Sequence, residues 1–302
     1  MFNKLFKSNT IRTTTTTVIA SGNGAVAAGG SITVIGSGNQ VVGSGAYGNV
    51  FTTAFSNKAL RSVTLRFGDT TKAAVSLNKS ASVSLTKKVA DSVASLSRGK
   101  IMGIRMDVLA FIDASGSMNY LYNNNTVDDV TEQGLALAMT IDEDGVIPTG
   151  TFGSNFSWRA DVTQNNYQGV VTRENFFTGG STNLSAALAS LEEAAKKATN
   201  PIYAMIVTDG APNDRVDVVK RIRRLSQYPV FIKFLVVGND ARAWKFVEDD
   251  LNNMDSSLRL VDNVNSRRIL NLNELTSEKF ADLLTEELPE WVDAAKAAGL
   301  LV

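Results

Sequence analysis

Val108-Leu-Ala-Phe-Ile112-Asp113-Ala-Ser115-Gly-Ser117-Met118 joins five apolar residues to a short loop bearing one carboxylate and two hydroxyls. The apolar run reads as a buried strand, and the loop begins where that strand ends. Side chains two apart in an extended loop project to the same side, so Asp113, Ser115 and Ser117 can converge, with Gly116 permitting the sharp turn. Taken alone, the triplet reads equally well as a helix cap or a polar turn. Two later stretches lift it above that: Gly179-Gly-Ser-Thr182-Asn-Leu184, and Ile206-Val-Thr-Asp209-Gly210. Each sits at a strand end or a helix start, and each adds an oxygen.

The five candidate metal ligands are therefore Asp113, Ser115, Ser117, Thr182 and Asp209. Two carboxylates and three hydroxyls suit a small hard cation. Mg2+ takes about six oxygens at about 2.1 Å and is often held by only one or two carboxylates. Mn2+ or Ca2+ are the alternatives. A cation so sparsely neutralised stays electrophilic toward an incoming carboxylate. Thr182 follows two glycines and precedes an expected helix, so it is also read as that helix's N-cap. The same glycines do not make a nucleotide cradle, because the lysine and glycine spacing of a Walker loop are missing.

Asp-x-Ser-x-Ser, then Thr, then Asp, in this order, resembles the metal-ion-dependent adhesion site (MIDAS) of von Willebrand factor A (VWA) domains. The resemblance runs from about Arg105 to Val302. Within that superfamily the chain is similar to the bacterial tellurium-resistance and stress-associated, TerF-like branch. The residues carrying this are Asp113-Ala-Ser-Gly-Ser-Met118 with Leu121-Tyr122, Asp142-Glu-Asp-Gly145, Val261-Asp262-Asn263 and the tail from Phe280 to Leu301. The family implies a Rossmann-like α/β fold, a Mg2+-dependent protein-binding role, and a partner that donates an acidic side chain to the metal. It also implies a link to tellurite resistance or stress response. Val75-Ser-Leu-Asn-Lys79 through Lys87 resembles the opening of the TerD-type domain, without that family's acidic calcium-binding segments.

Composition narrows the chemistry. The 302 residues contain neither cysteine nor histidine, which removes disulfides, thiolate nucleophiles, imidazole bases and ordinary zinc sites. Thirty basic and thirty acidic side chains cancel, so global charge points to neither nucleic acid nor an anionic membrane. No run approaches the roughly 20 apolar residues of a membrane span, and Ser8 to Thr17 is polar where an export signal would be apolar. The expectation is a cytoplasmic protein. It is read as a binding module and not an enzyme. An assembly component, such as a virion or surface-layer subunit, is the second reading, and metal-assisted phosphoester hydrolysis the third.

Three regions are expected along the chain. Residues 1–56 form a Gly/Ser/Thr-rich arm, uncharged from Val18 to Phe55, either a stack of short strands or a flexible low-complexity segment, and a candidate for homo-oligomer formation. Residues 57–100 alternate in polarity (Val63-Thr-Leu65, Val75-Ser-Leu77, Val83-Ser-Leu85) and read as a β-rich accessory segment. Residues 101–302 alternate strands with helices, the pattern of a mostly parallel sheet flanked by helices. Strands are expected at 105–112, 146–152, 202–208, 230–237 and 259–261, and helices at 127–141, 184–198, 214–227, 241–254 and 277–298. Lys220, Arg221, Arg223 and Arg224 read as a solvated helix face, Asp142 to Asp144 as a turn, and Trp158, Trp244 and Trp291 as packing residues.

Overall fold

The computed structural model describes residues 58–79, 81–254 and 258–302, with the two-residue strands β1 (Thr16–Thr17) and β2 (Ile32–Thr33). The chain divides into two units, Met1–Asn57 and Lys58–Val302. In the first, β1 and β2 pair in parallel, Thr16 opposite Ile32. The remainder of the expected arm lies outside the described residues.

The second unit is built on a six-stranded sheet. Its strands are β3 (Asp107–Asp113), β4 (Thr149–Phe152), β5 (Phe156–Trp158), β6 (Ile202–Thr208), β7 (Val230–Val237) and β8 (Val264–Ile269). They lie in the order β5-β4-β3-β6-β7-β8, with only the β4–β5 pairing antiparallel. The inner strands β3, β6 and β7 are apolar nearly throughout because helices cover both faces. Val108, Ala110, Ile112, Tyr203, Met205 and Phe231 belong to one buried cluster; Leu109, Phe111, Ala204, Ile206 and Phe234 belong to the other. Over the first face pack α1 (Val83–Arg98), α3 (Thr126–Ile141), α8 (Ser277–Thr285) and α9 (Leu288–Ala297). Over the second pack α5 (Ser185–Lys197), α6 (Arg215–Leu225), and α7 (Ala241–Phe246) with its π-helical continuation Val247–Asn252. Two short helices, α2 (Asn119–Asn123) and α4 (Val170–Arg173), lie in connections.

The chain runs from β3 outward to β4, then returns to place β6 on β3's other side. The direction of winding reverses there, and open parallel sheets form their binding crevice at the strand ends of such a point. Ile112 pairs with Val207, and Asp113 with Phe152, so the ends of β3, β4 and β6 are level.

Two expectations are corrected. The stretch 57–100 is not β-rich: among the described residues it contributes only the isolated bridges Val63–Leu301 and Phe67–Ile104, while Val83 to Arg98 is a 16-residue helix. Val83-Ser-Leu85 alternates locally, but Leu85, Val89, Ser92, Ser95 and Leu96 recur at helical spacing and are the residues α1 buries. Nor is the stretch separate, since the compact unit starts at Lys58. Ser82 starts α1, its hydroxyl accepting the Leu85 N–H at 3.0 Å and the Tyr167 hydroxyl proton at 2.8 Å. Ser82→Ala is expected to lower stability by about 1 kcal/mol, read as a shifted urea midpoint at unchanged slope.

The second correction concerns β8. The expected strand at 259–261 is displaced to Val264–Ile269, and the expected tail helix is broken at Glu287, whose φ of 62° ends one helix and starts another. At the opposite end of the unit, residues 63–65 join residues 300–302 through three backbone hydrogen bonds of 2.9–3.0 Å.

Candidate functional site

Asp113 is the last residue of β3, and its side chain is fully buried. One carboxylate oxygen accepts the Ser115 N–H at 2.8 Å; the other accepts the Thr208 hydroxyl proton at 2.7 Å. Ser115 Oγ lies 3.1 Å from Ser117 Oγ, and Ser117 Oγ donates to Asp209 Oδ1 at 2.7 Å. Four of the five candidates are thereby joined in one hydrogen-bonded chain across β3 and β6. Thr182 closes the group from a third loop: a Cβ built on Gly210 would lie 3.9 Å from its hydroxyl. The structure thus brings all five residues to the same end of the sheet.

The loop is held by its main chain. Ala114 N–H donates to Phe152 O at 2.7 Å, and Gly116 N–H to Gly180 O at 3.1 Å, tying the β3 loop to β4 and to the Thr182 loop. Tyr122, buried on α2, donates its hydroxyl proton to Asp113 O at 3.0 Å. Gly180 has a φ of 98°, and a side chain there would also meet Ser154, so glycine is required where the loop crosses.

Burial pushes the Asp113 carboxyl up to about 6; the Thr208 and Ser115 hydrogen bonds oppose this, and the Asp209 charge adds to it. Asp209 is also raised, by burial first, against the Ser117 hydrogen bond and with the Asp240 charge. Among the described residues neither carboxylate forms a salt bridge, and nowhere do three or more His, Cys, Asp or Glu side chains converge as a metal-holding group. The site is thus anionic, poor in carboxylates, rich in hydroxyls and without a side-chain counterion, which is the donor chemistry that fits a hard divalent cation.

Sequence reasoning missed two residues here. Thr208 was signalled only by its place beside Asp209. Asp214 was not signalled at all, and it takes the capping role expected of Thr182. Helix α5 starts at Ser185 without a local side-chain cap; Asp214, thirty residues on, accepts the Leu184 N–H at 3.1 Å and the Ser185 N–H at 2.9 Å. Asp142 is likewise more than a turn residue: it is buried and accepts the Val108 N–H at 2.8 Å, bracing the start of β3. Arg221 and Arg224 are not simply solvated, since both pair with the buried Glu192. Trp291 is buried as expected of a packing residue, whereas Trp158 is 46% exposed beside Phe156 on the edge strand.

Residues 105–301 match the family model described as the vWA found in the TerF C terminus. The chain is 26% identical over 230 residues to the uncharacterized protein YcbR of Bacillus subtilis strain 168, covering 73% of this chain and 90% of that one. Among solved structures it is similar to the manganese-loaded TRAP protein of Plasmodium vivax, at 16% identity, 61% and 73% coverage and a TM-score of 0.46. It is also similar to proximal thread matrix protein 1 of the mussel byssus with zinc in its MIDAS motif, at 14% identity, 64% and 51% coverage and a TM-score of 0.41.

Proposed function

The chain belongs to the family of VWA domains found at the TerF C terminus, and from that premise we propose that it is a metal-dependent protein-binding module, not an enzyme. The observation that carries this reading is the cluster of two carboxylates and three hydroxyls at the ends of β3 and β6, with no cationic side chain paired to either carboxylate among the described residues. Asp113, Ser115, Ser117, Thr182 and Asp209 would hold Mg2+, with Mn2+ or Ca2+ as substitutes. A cation there supplies a Lewis-acidic point for an acidic side chain of a protein ligand.

The chain's own residues do the positioning. Thr208 and the Ser115 N–H fix the Asp113 carboxylate, and Ser117 orients Asp209, so the donors need little reorganisation on binding. The chain's lack of histidine and cysteine supports a binder over a hydrolase. A role in tellurite resistance or stress response is part of the proposal and rests on the family alone.

The test is affinity capture from a cell extract with the full chain as bait, with Mg2+ and with a chelator, compared by mass spectrometry. Partners retained only with Mg2+, and lost with Asp209→Ala, are the expected result; capture indifferent to both defeats the reading. Self-association is proposed for the arm, which forms its own unit ending at Asn57. Identical monomeric elution of the full chain and a fragment beginning at Lys58 would argue against it.

A further inference from the structure

Thr182 is the candidate ligand farthest along the chain from any strand end. It lies in the connection that leads into α5, and its position is set by what grips that connection. From one side, Gly153 O accepts the Asn183 N–H at 2.9 Å and Ser154 Oγ accepts the Ser181 N–H at 3.2 Å. From the other, two consecutive residues of the loop after β6 act together. Asn213 N–H donates to Thr182 O at 2.8 Å, and Asp214 accepts the N–H groups of Leu184 and Ser185 through its two separate oxygens. Each of those oxygens is engaged by a main-chain N–H at the start of α5, so the Asp214 carboxylate ties the loop after β6 to the segment that carries Thr182.

We propose that Asp214 is the positioning residue of the metal site: by capping α5 from the β6–α6 loop, its carboxylate fixes the Thr182 segment against the Asp209 segment. This rests on the metal-binding reading above. Leu184, the residue before α5, has helical backbone angles and no capping side chain, so no local group can replace the lost acceptor. A negative charge at that helix start is also favoured by the helix dipole. Asp209 and Asp214 are the first and last residues of the same six-residue connection, Asp209 to Asp214, between β6 and α6. One loop therefore carries a ligand at its start and the clamp for a second ligand at its end.

The experiment compares wild type, Asp214→Ala, Asp214→Asn and Ser82→Ala, all as full chains, by Mn2+ titration calorimetry and by amide hydrogen exchange of the metal-free protein. Asp214→Ala is expected to weaken Mn2+ at least tenfold and to speed exchange at Leu184 and Ser185. Asp214→Asn, which keeps one acceptor oxygen, should fall between it and wild type, and serves if the alanine variant fails to fold. Ser82→Ala, which loses a cap remote from the site, should lower stability and leave Mn2+ affinity within twofold, separating positioning from general destabilisation. Unchanged exchange at Leu184 and Ser185 overturns the proposal, as does wild-type Mn2+ affinity in both Asp214 variants. If the wild type itself binds no Mn2+, the metal reading fails, and the exchange comparison still decides whether Asp214 holds the loop.

Discussion

Asp113→Asn is expected to weaken Mg2+ binding by about 100-fold or more, a loss of roughly 3 kcal/mol, while leaving a folded protein. The substitution removes one of only two negative charges in the cluster, and affinity for hard cations follows ligand charge. An amide oxygen can still accept from Ser115 N–H or from Thr208, so one of the two hydrogen bonds that fix the wild-type side chain survives. The metal-free variant is relieved of a buried charge, because the wild-type carboxyl, pushed up to about 6, is ionised at neutral pH against the preference of its surroundings. Calorimetric titration at pH 7.5 measures the affinity, and urea unfolding with chelator measures the stability. Wild-type affinity in the variant would sink the metal reading. The same group sets a pH limit: protons compete for Asp113, so Mg2+ affinity of the wild type should fall as the medium is acidified below pH 6.

Lys233→Met is expected to stabilise the protein at pH 7 by on the order of 2 kcal/mol. Lys233 is fully buried near the middle of β7, where its Nζ donates to Asn265 Oδ1 on β8. Burial brings its pKa down from 10.5 to about 7, with the Glu286 charge resisting, Arg267 assisting and Glu287 resisting. The unfolded chain therefore binds more protons than the folded one between pH 7 and pH 10.5, and wild-type stability rises with pH across that window, by about 5 kcal/mol if the whole shift is realised. Methionine fills a similar volume with no such dependence, at the expense of leaving Asn265 without its donor. Urea midpoints at pH 7 and pH 10 decide it: the variant's advantage should vanish as pH rises and pass to the wild type by pH 10. A constant gap would mean that burial of the ammonium is not what limits stability.

The same residue explains part of what the sequence concealed. β6 and β7 are expected and observed with identical ends, because a strand covered on both faces is a near-continuous apolar run, interrupted in β7 by Lys233 alone, and flanked by Pro201 or Pro229 and by turn residues. β8 defeats that rule: in Val264-Asn-Ser-Arg-Arg-Ile269, Asn265 answers Lys233 and Arg267 pairs with Glu286, so the strand buries polar groups. Its composition reads as loop. β5 is three residues on an edge, too short to show a period. In the site, Asp113, Ser115, Ser117 and Asp209 were legible because each lies on or within a few residues of a strand end that hydrophobicity locates. Thr182 was legible as an oxygen in that crevice but misread as a cap, because the acceptor that starts α5 comes from a distant part of the chain, and one-dimensional spacing carries no trace of it.

The backbone pairing of residues 63–65 with 300–302 makes the opening and closing segments of the folded unit one mechanical element. Pulling or clipping either segment must rupture the same three bonds, so the two are expected to fray together, with amides of Val63, Leu65 and Val302 exchanging at a common rate. It also makes this seam a late event in folding, since it closes a loop spanning nearly the whole unit and its entropy must be met by contacts already formed inside. A folded unit whose opening and closing segments are already neighbours is a natural substrate for head-to-tail joining of those two segments.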